Sequence, residues 1–288
     1  MVKRKKHPGK IRLLIQCAFA ALSNGHLIGF GTGKIYTGPL KVLCTPGMNC
    51  YSCPGALGSC PIGALQAVLN SKQYHVALYV FGLLTVLGTF FGRFICGFLC
   101  PFGLLQDLLY KIPFPKKVRR LPGERYWRYL RFAILGIMVV LLPMAVHNLL
   151  GIGDPWFCKY ICPVGTLEAG IPLVLLNPGL QGTIGWNYIW KIAILVLLLV
   201  ASVMIYRPFC RYLCPLGAVY GLFNRFAIYR YHVDAKKCVE CGACQSACKL
   251  DIPVWKNPNS MDCIRCGECR HVCPTDAIGT KQRNSGLG

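Results

Sequence analysis

Four copies of a Cys-Pro-x-Gly motif constrain this chain more than any other feature of its sequence. In three copies a further cysteine stands four residues earlier, which gives the spacing C-x3-C-P, and the remaining copy is looser. The cysteines of the four copies are Cys50, Cys53 and Cys60; Cys96 and Cys100; Cys158 and Cys162; Cys210 and Cys214. A unit that recurs four times in one chain indicates an internal repeat.

The spacing of these motifs predicts that each begins a metal-ligating helix. Proline suits the first turn of a helix, where a backbone N–H would be unpaired anyway, so Cys100, Cys162 and Cys214 are expected at helix N-caps. The positive end of the helix dipole favours a thiolate there. It equally favours the net negative charge of a thiolate-ligated iron–sulfur cluster. Disulfides or purely structural turns rank lower, because the end of the chain carries a complete cluster motif.

That cluster motif consists of two runs with the spacing C-x2-C-x2-C-x3-C. It is the signature of a bacterial ferredoxin with two [4Fe–4S] clusters, in which the last cysteine of each run ligates the other cluster. Zinc is a remote alternative, because zinc sites use one or two C-x2-C pairs. The crossover rule predicts one cluster on Cys238, Cys241, Cys244 and Cys273, and another on Cys263, Cys266, Cys269 and Cys248.

Composition points to a membrane protein. The chain is 54% hydrophobic with a net charge of +22, and no nucleic-acid recognition fold or basic helix accounts for that charge. Apolar stretches of about 17 to 20 residues fit a hydrocarbon core of about 30 Å. We therefore expect an α-helical membrane domain over 1–230, with about four full spans, short half-helices and a pseudo-twofold repeat. An α+β two-cluster ferredoxin-like domain is expected over 231–288. The predicted spans are 11–30, 74–92, 132–150 and 190–206.

The distribution of basic residues predicts the orientation. The segments on the N-terminal side of the bilayer hold 19 Lys and Arg, whereas the opposite segments hold 4. The positive-inside rule then places both termini in the cytoplasm, as expected for a multi-pass protein of a prokaryotic cytoplasmic membrane. The first and third C-x3-C-P motifs fall on the inner side, and the other two copies fall on the outer side.

This sorting predicts two clusters in the membrane domain. The inner one takes Cys96, Cys100, Cys210 and Cys214. The outer one takes Cys158, Cys162, Cys60 and one of Cys50 or Cys53. A competing arrangement follows the ferredoxin rule, by which the two cysteines of each motif serve different clusters. Both arrangements stay open at the level of sequence.

Five further residues are candidates for cofactor binding. Arg93 and Arg207 precede the inner motifs, where they would neutralise a cluster and raise its potential; marking the inner interface is an equally good role. His26, His75 and His147 would bind a quinol head group or ligate haem, although facing lipid headgroups is favoured for all three.

Two cysteines, Cys17 and Cys44, have no assigned place in these sets. For Cys17, burial in an apolar environment is expected.

The motifs resemble a known family. The hydrophobic spans, the segment Cys210-Arg-Tyr-Leu-Cys214-Pro-Leu-Gly and the two-cluster tail are similar to NapH-type quinol dehydrogenase subunits of periplasmic nitrate reductase systems. They also resemble the C-terminal membrane half of NosR-type proteins of nitrous-oxide respiration. NapH-type proteins carry fewer Cys-Pro motifs, so the outer group is additional. The resemblance implies an electron-transfer membrane protein that links the quinone pool to a redox partner protein of a respiratory complex.

Three functions stay open on this basis. The first is electron transfer through a chain of clusters, with or without a quinol site of its own, as a subunit of a quinol dehydrogenase complex. The second is redox sensing or maturation of a respiratory metalloenzyme. The third is thiol-based metal handling in the membrane, with Cys44, Cys50 and Cys53 as the exchanging groups.

Overall fold

The computed structural model describes residues 8–71, 74–146, 153–182 and 184–281, and most of these are helical. The two strands, Arg230–Val233 and Ile278–Lys281, pair antiparallel at the two ends of the tail. The helices are Pro8–Ser23, Ile28–Thr32, Pro61–Ser71, Tyr74–Phe91, Phe94–Phe98, Pro101–Leu109, Glu124–Ala145, Trp156–Tyr160, Pro163–Leu176, Pro178–Gln181, Trp186–Met204, Phe209–Leu213, Pro215–Phe223, Ala243–Ala247 and Glu268–His271. A 3-10 turn covers Pro39–Val42, and π-helical turns cover Ile134–Leu141, Thr166–Gly170 and Phe209–Leu213.

Every Cys-Pro-x-Gly copy begins a helix, as the sequence predicts. Cys100, Cys162 and Cys214 are the N-cap residues, and the proline that follows occupies the first turn. The Sγ atoms of Cys162 and Cys214 accept the backbone N–H groups of Gly165 and Gly217 at 3.5 and 3.3 Å. The helix start therefore fixes the thiol and gives it a hydrogen-bond donor.

Among the described residues, two helices are long and apolar enough to cross a membrane. They are Glu124–Ala145 and Trp186–Met204, which correspond to two of the four predicted spans. The predicted span 74–92 corresponds to the helix Tyr74–Phe91. Its apolar part, Leu78–Phe91, is shorter than the 18 residues that a candidate membrane span needs. The predicted span 11–30 differs more, because its helix ends at Ser23 and a separate turn starts at Ile28.

A polar contact explains why the first helix is not simply an apolar span. Arg12 and Gln16 face the interior and donate to Asp107 at 3.0 and 3.3 Å. Arg207 donates to the same carboxylate at 2.8 and 2.5 Å. Burial on its own would raise the pKa of Asp107, but the two guanidinium groups lower it to about 2. The charged carboxylate therefore ties the first helix to both inner motifs.

The tail is packed directly against the helical part of the chain. Asp262 of the tail accepts hydrogen bonds from Arg128 and Arg131 at 2.7 Å and from Arg93 at 3.4 Å. Asn224 Nδ2, at the end of the last helix before the tail, donates to the carbonyl of Cys263 at 3.0 Å. These buried polar contacts fix the ferredoxin-like segment against the inner motifs.

Candidate metal centre

The inner set of cysteines comprises Cys96, Cys100, Cys210 and Cys214, whose thiols lie near enough to influence one another electrostatically. Their exposed fractions are only 4 to 6%. Burial, and then the neighbouring thiols of Cys210 and Cys96, raises the pKa of Cys100 to about 12. Four neighbouring thiols that are closed off from solvent are a candidate donor set for a [4Fe–4S] cluster.

Two arginines clamp the inner motifs to each other. Arg93 Nη2 donates to the carbonyl of Cys210 at 2.7 Å, and Arg207 Nη1 donates to the carbonyl of Cys96 at 2.6 Å. Each arginine therefore reaches from its own motif to the opposite one, and both are almost completely buried. The sequence identified both arginines as candidates but did not predict this reciprocal contact. The contact fixes the relative position of the two cysteine pairs.

The outer set comprises Cys50, Cys60, Cys158 and Cys162, which line one cavity of about 780 Å³. Cys53 is absent from its wall, because its buried thiol points to Asn24 Oδ1 at 3.8 Å. Of the two residues that the sequence left open, the structure thus brings Cys50 to the other three. Burial raises the pKa of Glu168 to about 7, while the backbone N–H of Cys50 donates to this carboxyl at 2.8 Å.

The tail holds two more sets, in the crossover arrangement. Set A lines a single small cavity with Cys238, Cys241, Cys244 and Cys273. Set B comprises Cys248, Cys263, Cys266 and Cys269; burial, and then the thiols of Cys266 and Cys248, raises the pKa of Cys263 to about 12. In the helical part, by contrast, both cysteines of each motif join the same set.

The four sets have the chemistry that [4Fe–4S] clusters require. Each offers four thiols, and the outer set and set A face a cavity. Backbone N–H groups from Gly165 and Gly217 donate to cysteine sulfur, which stabilises a thiolate. When bound, such clusters supply one-electron chemistry, and the sixteen cysteines of the four sets are the residues that would hold them.

Of the three candidate histidines, His26 is the one whose side chain the structure describes, and it joins none of these sets. His26 hydrogen-bonds the carbonyl of Pro54 through Nδ1 at 3.0 Å and packs against Tyr36, away from the cavity of the outer set. The side chain of His75 and the whole of His147 lie outside the described residues. Cys17 does not pack inside the protein: its thiol is exposed on the first helix, whose inward face carries Arg12 and Gln16.

Two glutamines that the sequence analysis missed donate to cluster cysteines. Gln66 Nε2 lies 3.2 Å from Cys158 Sγ, and Gln106 Nε2 lies 3.2 Å from Cys210 Sγ. Both glutamines are the sixth residue after the N-cap cysteine of a motif, in the segments Cys-Pro-Ile-Gly-Ala-Leu-Gln and Cys-Pro-Phe-Gly-Leu-Leu-Gln. Aligning the four copies beyond the glycine shows that glutamine stands at this position in two of them, although the alignment does not show the contact with sulfur.

The loop that precedes Cys50 lies between the inner and outer sets. Met48 Sδ lies 3.9 Å from Cys60 Sγ. A Cβ on Gly47 would stand 2.8 Å from the carbonyl oxygen of Leu99 and 3.0 Å from Cys100 Cα, so the loop backbone touches the inner motif. The hydroxyl of Tyr220 donates to the carbonyl of Pro46 at 3.0 Å. The loop therefore joins Cys60 of the outer set to Cys100 of the inner set.

Comparison with known proteins identifies iron–sulfur binding segments around the same cysteine motifs. A family model described as a 4Fe-4S binding domain matches residues 75–122, 132–171 and 186–230, and each match contains one C-x3-C-P motif. A second 4Fe-4S binding domain model matches residues 258–279 in the tail. The outer motif with Cys158 and Cys162 therefore matches the same family unit as the two inner motifs. No solved structure matches the chain.

Several curated proteins are similar to this chain. An uncharacterized protein of Methanocaldococcus jannaschii is 30% identical over 200 residues, which are 68% of this chain and 74% of that protein. The methylamine utilization ferredoxin-type protein MauN of Paracoccus denitrificans is 30% identical over 158 residues, 54% of this chain and 48% of MauN. The regulatory protein NosR of Stutzerimonas stutzeri is 27% identical over 187 residues, 60% of this chain and 22% of NosR.

The repeated cysteine sets define a multi-cluster iron–sulfur protein of the ferredoxin type. The chain belongs to the family of 4Fe-4S binding proteins with repeated Cys-Pro motifs that includes NosR and MauN. The NosR-type resemblance in the sequence is thereby confirmed. The chain spans 59% of another M. jannaschii relative and about half of MauN, so it corresponds to only part of these proteins.

Serine substitutions at Cys50 and Cys53 will distinguish a cluster ligand, Cys50, from a structural thiol, Cys53. Because Cys50 lines the cavity of the outer set and Cys53 does not, C50S is expected to lose about four irons per chain, the content of one cubane. C53S is the matched control and keeps its iron. Iron and acid-labile sulfide assays on anaerobically purified protein measure both. Equal losses in the two variants would contradict the assignment.

Proposed function

We propose that this protein is a multi-pass protein of a prokaryotic cytoplasmic membrane that passes electrons between a quinone pool or an extracytoplasmic partner and a cytoplasmic partner. In this proposal the outer set, the inner set, set B and set A hold four [4Fe–4S] clusters. The chain supplies the ligands, their spacing and their electrostatic surroundings, while the bound clusters carry the electrons.

The observation that carries the proposal is the continuous series of contacts between the sets. The loop at Met48 joins the outer set to the inner set. On the other side of the inner set, Gly97 lies against the backbone of Ile264, the residue that follows Cys263 of set B. Set B and set A share the compact tail through their crossover ligands. The order outer set, inner set, set B, set A supports a directed path.

The proposed membrane location has two supports. The helices Glu124–Ala145 and Trp186–Met204 are long and apolar enough to span a bilayer. The 19 basic residues of the inner segments against 4 in the outer segments favour cytoplasmic termini. With this orientation the tail lies in the cytoplasm, where set A, whose Cys241 is exposed, can meet a soluble redox partner.

The cavity of the outer set supports a quinone as the partner on that side. Its volume of about 780 Å³ lies in the range of small-molecule sites. Its wall is mainly apolar, with Val42, Val80 and Leu173 among the lining residues. Tyr79 also lines it; its hydroxyl accepts the N–H of Cys44 at 3.4 Å and keeps its own proton to donate to a quinone carbonyl.

Iron content and transmembrane electron flow test the proposal together. Anaerobically purified protein is expected to hold about sixteen irons, the content of four cubanes. After reconstitution into vesicles, it should carry electrons from external dithionite to an impermeant acceptor enclosed in the lumen. The double variant C96S/C210S should retain about twelve irons and lose this transfer.

The outcomes separate the proposal from its alternatives. About eight irons, unchanged in the double variant, would confine the clusters to the tail and favour thiol-based metal handling by the remaining cysteines. Full iron content without any transmembrane transfer would favour a redox-sensing or maturation role, which is the leading alternative because the similar protein NosR is a regulatory protein.

A further inference from the structure

Gln66 and Gln106 occupy equivalent places at the two membrane-domain cysteine sets. Each stands six residues after an N-cap cysteine, and each side chain crosses to the first cysteine of a different motif, Cys158 or Cys210. Both are essentially fully buried, with exposed fractions of 0 and 1%. The same contact therefore occurs once in the outer set and once in the inner set.

The hydrogen bonds around each amide fix which end faces the sulfur. Gln66 Oε1 accepts the backbone N–H of Phe157 at 3.1 Å, so its Nε2 is the end that points to Cys158. Gln106 Nε2 also donates to the carbonyl of Phe102 at 3.4 Å. If the Gln106 amide were rotated by 180°, its Oε1 would face the carbonyl oxygen of Phe102, and two acceptors would be in contact. Both cysteines thus face an N–H donor.

We infer that Gln66 and Gln106 are positioning residues that set the reduction potentials of the outer and inner clusters by donating N–H···S hydrogen bonds to Cys158 and Cys210. Reduction adds negative charge to a cluster and its thiolates, and a donor stabilises that charge. Hydrogen bonds to the sulfurs are one of the factors that set cluster potentials. The inference rests on the proposed function in one respect, since it requires that both sets hold clusters.

The other two motif copies do not offer this donor. The residue at the equivalent position is Glu168 in the outer set and Tyr220 in the inner set. Glu168 accepts the N–H of Cys50, and Tyr220 donates to the carbonyl of Pro46, so neither contact is made to a sulfur. Within the described part of the chain, each membrane set consequently has one side-chain donor to sulfur, and the two donors can be removed independently.

The substitutions Gln66→Met and Gln106→Met remove the donor while keeping an unbranched side chain of similar size. Each is expected to lower one midpoint potential by about 59 mV, a tenfold change in a one-electron reduction equilibrium, and to leave the other potentials unchanged. Gln66→Glu and Gln106→Glu, which replace the donor with an acceptor, should lower the same potential further. Redox-titrated EPR measures the potentials. Gln181→Met, at an exposed glutamine, is the matched control.

Iron assays on the same samples distinguish a failure of the tuning role of the glutamines from a failure of the proposed electron-transfer function. Full iron with unchanged potentials in both Met variants would overturn the tuning role and leave the proposed function intact. Loss of about four irons in both would also overturn it and make the glutamines structural. If the parent protein itself holds only the tail clusters, the proposed function fails first. Shifts confined to a different EPR signal in each variant would support the inference.

Discussion

Replacing Asp262 with asparagine will detach the ferredoxin-like tail from the helical part of the chain. Asp262 is the acceptor for three arginines, Arg93, Arg128 and Arg131, and two of these guanidinium groups are 2% exposed. Burial alone would raise the pKa of Asp262, but the arginines hold it below its usual range. Removing the carboxylate leaves the buried charges of Arg93 and Arg131 without the acidic group that balances them, which costs roughly 3–5 kcal/mol.

Thermal unfolding followed through cluster absorbance, together with limited proteolysis near residue 230, measures this loss. Asp262→Asn should unfold at lower temperature and release the tail as a proteolytic fragment. Asp251→Asn is the control, because Asp251 also belongs to the tail but pairs with Arg120, whose side chain is 59% exposed. An exposed pair contributes about 0–1 kcal/mol. Equal sensitivity of the two variants would show that Asp262 does not hold the tail.

The parts of the site that follow from local spacing were predictable from the sequence. The N-cap positions of Cys100, Cys162 and Cys214 follow from the proline that comes next, because helix starts are decided within one turn. The crossover arrangement of the tail follows from the C-x2-C-x2-C-x3-C spacing, which leaves little freedom to the chain. The two helices that satisfy the length and hydropathy of a membrane span were also visible in the sequence.

Contacts between distant copies of the repeat were not predictable in the same way. Gln106 and Cys210 are 104 residues apart, and Gln66 and Cys158 are 92 apart. No local rule states which side chain of one copy meets a sulfur of another. The choice between Cys50 and Cys53 has the same origin, because it depends on how the loop before Cys60 packs against helices elsewhere. The first helix deviates for a related reason, since its Arg12 pairs with Asp107.

Adding a methyl group at Gly97 will disturb the contact between the inner set and set B. A Cβ on Gly97 would stand 2.4 Å from the carbonyl oxygen of Ile264, where ordinary contacts begin near 3.4 Å. Ile264 lies in the loop between Cys263 and Cys266, so the backbone that has to retreat carries ligands of set B. Overpacking of this kind costs roughly 1–3 kcal/mol, and the separation of the two sets increases with it.

Gly97→Ala should therefore keep its full iron content but slow electron equilibration between membrane and tail clusters, because electron transfer through space falls off with distance. Rapid-freeze EPR after photoreduction of the exposed tail cluster measures this rate. Gly82→Ala is the control: no atom stands within 4 Å of its Cβ, and alanine removes a helix penalty of about 0.5–1 kcal/mol. If Gly97→Ala equilibrates as fast as Gly82→Ala, electrons leave the inner set by another route, and the contact with Ile264 is only a packing contact.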